Sequence, residues 1–239
     1  MKVQEFSSQF DTLLNSYART ASFGEQDSPA SIELDEYEKS LFLTNAQDEV
    51  VISLYSGRNS AGSGFEETEE VRRYLSKLIS EAYLNPITTT DGKPLGIEST
   101  SKFFTLPEDV MFITYESVNV SEGKCGNSTS MEVVPVRQDE YHKIKNNPFR
   151  GANDRRALRF DLSEGNVEIV CKYVVDKYYI RYLKQLDPII LTPLKEGIDI
   201  KGKTEVTDCK LDESLHYKIL ERAVQMALQS RGLYKTENK

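Results

Sequence analysis

The residues best able to do chemistry fall into a few groups, and in each the spacing decides what the group can do. Gly57, Gly62 and Gly64 stand in GRNSAGSG at 57–64, the glycine spacing of a phosphate-cradling loop. Such a loop needs Lys and then Ser or Thr after its second glycine, so that an ammonium reaches the phosphates and a hydroxyl reaches Mg2+. Ser63 and Gly64 occupy those places, and no strand pattern precedes Gly57. The stretch therefore reads as a connection between two helices. His142 and His216, with Cys125, Cys171 and Cys209, carry metal-binding donors, but no pair has ligand spacing. Three widely spaced cysteines read as reduced structural thiols of a protein made inside a cell. Cys171 alternates with apolar neighbours and reads as a small core residue. No G-x-S-x-G nucleophile motif is present, and among 38 acidic residues no carboxylate pair stands out. The expectation is no catalytic residue, no cofactor and no bound metal.

Arg150, Arg155, Arg156 and Arg159 cluster in FRGANDRRALR. Two readings stay open: a solvated loop leading into a strand, or a partner surface, since arginine is favoured at interfaces. Nucleic-acid contact is disfavoured, because the chain carries a net charge of −8 and a pI near 5.0. An acidic wall that DNA slides past remains compatible with that balance. Hydrophobic content of 38% against 28% charged predicts a thin core for 239 residues, in an elongated molecule or in one that completes its burial against partners. The N-terminus, MKVQEFSSQF, has no apolar h-region, so two glycosylation-like triplets at Asn119 and Asn127 read as chance. No run approaches membrane-spanning length.

The elements that must position these residues follow from periodicity. Phe6, Phe10, Leu13, Leu14 and Tyr17 form one apolar stripe, predicting a helix over 3–19. Residues 20–31 read as a polar loop. A capping box at Asp35 and Glu38 opens a second helix to about Tyr55, with a stripe of Leu43, Ala46, Val50, Val51 and Leu54 extended by Tyr37 and Leu41. A third helix is expected from about Ser63, with Glu66, Glu67, Glu69 and Glu70 in its first turns, until Asn85-Pro86 stops it. Beyond Pro86 the period changes to two. Strands are expected at 110–120, 131–137 and 156–162, with a helical turn or two at 139–145 and two short strands around Gly202. The longest strand-like run, Asn166–Leu191, reads as a hairpin turning at Val175-Asp176-Lys177 and ending before Pro188. Asp212 caps a last helix, to about Arg231, whose apolar face is Leu215, Ile219, Leu220, Ala223, Val224, Ala227 and Leu228; Gly232 suits its stop.

The fold class expected is α+β: a helical module with a mostly antiparallel β domain between its N-terminal and C-terminal parts. The boundaries read as 1–84 helical, 85–211 β-rich with long loops, and 212–239 a C-terminal helix and tail returning to the helical module. The wide face of that last helix and the loops at 86–105, 121–130 and 146–155 are expected to meet neighbouring proteins.

Four segments carry a resemblance. They are DEYEKSLFLTNAQDEVV at 35–51, PFRG with RRALR within 148–159, YYIRYLKQLDPIIL at 178–191 and CKLDESLHYKILERAVQMA at 209–227. In this order they resemble virion structural proteins of crAss-like tailed bacteriophages, particularly the neck rings joining portal to tail. The match is thinnest over 56–130. One departure stands at Gln185-Leu186-Asp187, where the pattern has a basic residue and a proline. The resemblance implies a non-enzymatic subunit of a dodecameric ring, partnered by its own copies, the portal and adjacent neck or tail rings. It implies genome DNA passing through without specific binding, no membrane partner, and a place at the head–tail interface of a virion built in the host cytoplasm. Competing classes are a tail or receptor-contacting component and an enzyme with a site invisible to motifs.

Overall fold

A computed structural model describes residues 1–21, 32–59, 62–87, 96–98, 100–121 and 129–232, the side chains of 19–21 excepted. Cys125, Asn127, most of the loops expected at 20–31 and 121–130, and residues 88–95 and 99 of the one expected at 86–105 lie outside the described residues. The chain divides into two compact units, Met1–Lys77 with Leu186 onward, and Leu78–Gln185. Helices gather in the first and strands in the second, an α+β arrangement with segregated elements.

In the helical unit, α1 (Val3–Ala21) buries Phe6, Phe10, Leu14 and Ala18, one stripe at helical spacing. Helix α2 (Glu36–Ser56) opens on the expected capping box: Asp35 Oδ1 accepts from the Glu38 amide at 2.7 Å, and Glu38 Oε2 accepts from the Asp35 amide at 3.2 Å. It ends on Gly57, whose φ of 75° is the left-handed conformation of a helix stop. The glycine-rich stretch that follows is thus a helix exit rather than a phosphate loop. Leu43, Ala46, Val51 and Leu54 are buried as the stripe predicts, but Leu41 stands 39% exposed. The rest of the buried residues are polar: Lys39, ion-paired with Asp11 and Glu36, and Ser40, Thr44 and Gln47 at i, i+4 and i+7.

The side chains of Ser40, Thr44 and Gln47 face the segment Asp187–Leu191. Ser40 Oγ accepts from the Leu191 amide at 3.0 Å, Thr44 Oγ1 accepts from the Ile189 amide at 3.1 Å, and Gln47 Nε2 donates to the Asp187 carbonyl at 2.9 Å. The segment is an extended strand with no sheet. Its buried backbone is satisfied on one side by this helix face and on the other by Thr207, whose backbone exchanges two 3.2 Å hydrogen bonds with Ile190; Ile189 and Ile190 are thereby fully buried. The Asp187 carboxylate is gripped by Lys203 and Lys210, which hold its pKa below the usual carboxylate value. The corner where the sequence departs from its family pattern is therefore tied by ion pairs. The two short strands expected around Gly202 reduce to single bridges, Ile190 with Thr207 and Ile200 with Lys203.

Helix α3 (Glu69–Leu75) starts later than expected, at an N-cap Thr68, and is only seven residues long. A 3-10 turn over Ser76–Leu78 ends it, and β1 (Ile79–Leu84) begins where a helix was expected to continue. Residues 79–84 satisfy both periods, and pairing with a neighbouring strand decides between them. Helix α5 (Glu213–Ser230) is capped by Asp212 and followed by Gly232 at φ 72°. All seven residues of its predicted apolar face are 0–1% exposed, packed on α1 and α2. The expectation that this face meets another protein is overturned: the chain's own helices cover it.

The second unit is one seven-stranded sheet in the order β1-β7-β3-β4-β5-β6-β2. Its other strands are β2 (Lys102–Thr105), β3 (Val110–Val120), β4 (Thr129–Pro135), β5 (Arg156–Asp161), β6 (Asn166–Val170) and β7 (Val175–Lys184). All pairs are antiparallel except β4 with β5. The sheet curls until Ile87, just past β1 at one edge, bridges Phe103 in β2 at the other. Inside the curl lie Phe104, Val118, Val120, Met131, Val133, Ala157, Val167, Ile169, Val175, Tyr178, Ile180 and Tyr182, and also Cys171. The rings of Phe104 and Tyr178 meet at 5.3 Å, though their strands are not neighbours in the sheet.

Strand β2 falls in a stretch expected to be loop. The hairpin expected within Asn166–Leu191 does not form. Each edge of β6 is taken by β5 or β2, and each edge of β7 by β1 or β3. The expected turn residues Val175–Lys177 are the start of β7, and residues 171–174 carry the chain between strands that are not neighbours. Alternation nevertheless holds along both strands, since Val167, Ile169 and Cys171 share the interior with Tyr178, Ile180 and Tyr182.

Candidate subunit interface

The loop before β5 carries Arg150 and Arg155, two of the four arginines singled out in the sequence, and it is held tightly. Helix α4 (Tyr141–Ile144) precedes it. Asn147 turns the chain: its Oδ1 accepts from the amides of Phe149 (2.9 Å) and Arg150 (3.2 Å), the local bond that makes Asn-Pro a turn former. Gly151 closes the turn, donating its amide to the Asn147 carbonyl at 2.7 Å. A Cβ on Gly151 would stand 2.8–2.9 Å from the carbonyl oxygens of Ile144, Lys145 and Asn147, so only glycine fits. Arg156 donates through Nη1 to the Phe149 carbonyl, and Asn153 Nδ2 to that of Pro148 at 3.2 Å.

The product is a knob. Phe149 is 82% exposed, the most exposed large apolar side chain among the described residues. Arg150 follows it in the chain and Arg155 ends the same loop, both exposed and without an ion pair among the described residues. Below it, Tyr141 Oη donates to Glu98 Oε1 at 2.6 Å and Lys145 Nζ to the same oxygen at 2.9 Å. Those two bonds hold the Glu98 carboxyl below its ordinary range. Asp154 accepts from Lys172 Nζ at 2.7 Å and Tyr173 Oη at 2.9 Å.

The four arginines do not share one surface. Arg156 braces the knob, and Arg159 turns into the curl of the sheet, where its Nη1 lies 2.7 Å from Glu116 Oε1. Tyr178 Oη donates to the other Glu116 oxygen at 2.5 Å. Burial pushes the Glu116 carboxyl up, against the pull of Arg159 and Tyr178, and burial and Glu116 together push the Tyr178 phenol far up. Sequence spacing cannot separate these fates. Arg155 to Arg159 is strand-like, and which faces point inward depends on how the sheet closes. The knob's own signal was in the sequence, in Asn147-Pro148 and Gly151, but the exposure of Phe149 was not.

Among the described residues no group of three His, Cys, Asp or Glu side chains is placed to hold a metal, and no helix is long and apolar enough to cross a membrane. A rigid loop that presents an aromatic ring and two guanidinium groups to solvent is what an assembly subunit offers to a neighbour.

Comparison with known proteins gives the family. The phage tail ring protein 3/4 family matches residues 1–239, and the chain belongs to it. It is 46% identical to Ring protein 3 of Bacteroides phage crAss001 over 234 residues, which is 97% of this chain and 96% of that protein. To Ring protein 4/5 of the same phage it is 29% identical over 238 residues, covering 95% and 92%. The expected kinship with ring and neck structural proteins of crAss-like phages is thereby shown, and the chain is a phage structural ring protein.

Proposed function

We propose that this chain forms a closed dodecameric ring in the neck of the virion, between portal and tail and around the DNA channel, in a position like that of Ring protein 3. The observation that carries this reading is the 46% identity extending over nearly the full length of both chains, against 29% for Ring protein 4/5. The role is architectural and involves no catalysis or cofactor. Its partners are its own copies, the portal and the adjacent neck or tail rings. A net charge of −8 per copy supports the DNA-channel part: an acidic ring repels phosphates, so the genome passes without sticking.

Cryo-electron microscopy of virions, and mass photometry of the purified chain with its portal, test this. The expected result is a closed ring in the neck. A chain found instead at the distal tail, or a strictly monomeric chain that never joins the portal, overturns it. Replacing acidic residues at the channel wall with Lys is expected to slow DNA ejection while leaving assembly intact; unchanged ejection removes the electrostatic part alone.

A further inference from the structure

Opposite the interior of the curled sheet, three adjacent strands carry tyrosines, the outer two exposed and the middle one half-buried. Tyr83 on β1 pairs in register with Tyr179 on β7, their ring centroids 4.9 Å apart, and Tyr115 on β3 stands 6.1 Å from Tyr179. Tyr83 is 64% and Tyr115 50% exposed. The interior-facing neighbours on the same strands, Ala82, Leu84, Tyr178 and Ile180, pack into the core, so the ladder belongs to the outer face. Glu81 stands on that face beside Tyr179, and burial followed by its carboxylate raises the Tyr179 phenol. Of the cations on this face, Arg181 stands opposite Glu81 in the β1–β7 register and donates to Thr114 Oγ1 at 3.3 Å, and Lys177 lies two residues along β7.

We propose that the ladder Tyr83–Tyr179–Tyr115 of one copy is the seat for the Phe149–Arg150–Arg155 knob of the next copy in the ring. This rests on the ring reading above. A ring built from one chain uses heterologous contacts, so each copy must carry two different, mutually complementary patches. The ladder lies on β1, β7 and β3, and the knob enters at β5, with β4 between them on one side of the sheet order and β6 and β2 on the other. The two patches therefore stand on different strands of the same unit, as a head-to-tail contact requires.

The chemistry of the two patches matches. A guanidinium stacks on an aromatic face, and tyrosine offers such a face with a polar rim. The Phe149 ring meets tyrosine edges. Charge argues for the same occupant. Copies bearing −8 each repel, so contact between copies needs a local cationic patch, and Arg150 and Arg155 supply one. The knob is also held in place before binding by Asn147, Gly151 and Arg156, which reduces the entropy lost on docking. This cluster is the aromatic and arginine centre of a larger interface.

The test uses the full chain under conditions where the wild type forms rings. A photo-crosslinking amino acid is placed at position 149 and light and heavy isotope-labelled chains are mixed. Crosslinks are expected from position 149 of one copy to residues 79–84, 112–119 or 177–183 of another. Phe149→Ala and Tyr83→Ser, both at exposed positions, are expected to raise the concentration needed for rings by roughly tenfold or more, with thermal melts unchanged. Rings that form as readily in both variants, or crosslinks confined to another surface or to a different ring protein, overturn the proposed seat and leave the ring reading standing. A wild-type chain that never assembles, alone or with its portal, overturns the ring reading and the seat together.

Discussion

Both units bury polar side chains, and they do so for opposite reasons. Along the α2 seam of the helical unit, Ser40, Thr44 and Gln47 are neutral, and they complete the hydrogen bonding of one side of an extended segment that belongs to no sheet. Inside the sheet, Glu116 and Arg159 are charged and complete each other, with Tyr178 as a third partner. The first arrangement replaces a missing sheet and is neutral throughout. The second carries the desolvation of two ions and is held only as long as both are present. A polar residue in a core is therefore understood from what it would leave unpaired if removed.

The largest effect follows from the ionic pair. Arg159→Met is expected to lose roughly 3–5 kcal/mol, because Glu116 is left as an uncompensated buried charge. Combining it with Glu116→Leu should recover much of that loss, by chemical denaturation of both variants. A single variant as stable as the wild type would show the pair to be dispensable and end the contrast.

A smaller loss is expected in the neutral seam. Thr44→Val keeps the shape and removes the hydroxyl, leaving the buried Ile189 amide without a partner, at a cost of roughly 1–3 kcal/mol. A loss below a few tenths would mean that the extended segment is held by its isoleucines alone.

The ion pairs at Asp187 sharpen the comparison through pH. Lys203 first, and then Lys210, lower its pKa in the folded chain. A depressed carboxylate contributes stability that is present above its unfolded value of 3.8 and lost as pH falls through the lower folded value. Thermal melts from neutral pH down into that range should fall less steeply for Asp187→Asn than for the wild type. Parallel curves would deny the pairs any part in acid stability.

The smallest effect expected is at the helix cap. Asp35→Ala removes one half of the capping box and should cost about 1 kcal/mol, measured by denaturant titration. No change would mean that packing of α2 alone sets where it starts.

The sequence by itself determined the α+β class, the extents of α1, α2 and α5, the capping box, and the strands at 110–120 and 156–161. These are local: a stripe at helical spacing, a side chain reaching its own helix end, an alternation long enough to exclude a helix. It also marked a loop at 146–155, whose turn geometry is intrinsic to Asn147-Pro148 and Gly151.

Tertiary structure decided what local periodicity leaves open. Ile79–Leu84 fits a helix or a strand, and pairing with β7 made it a strand. The run 166–184 alternates as a hairpin would, but alternation fixes faces and not partners, and both strands found other neighbours. Leu41 continued a stripe and was left exposed, while Ser40, Thr44 and Gln47 were buried because an extended segment nearly 150 residues later needed their hydrogen bonds. Arg159 looked like its neighbours at 150, 155 and 156 until the sheet curled around it. Contacts between residues distant in sequence form only when the whole chain closes, and no window of sequence contains both partners.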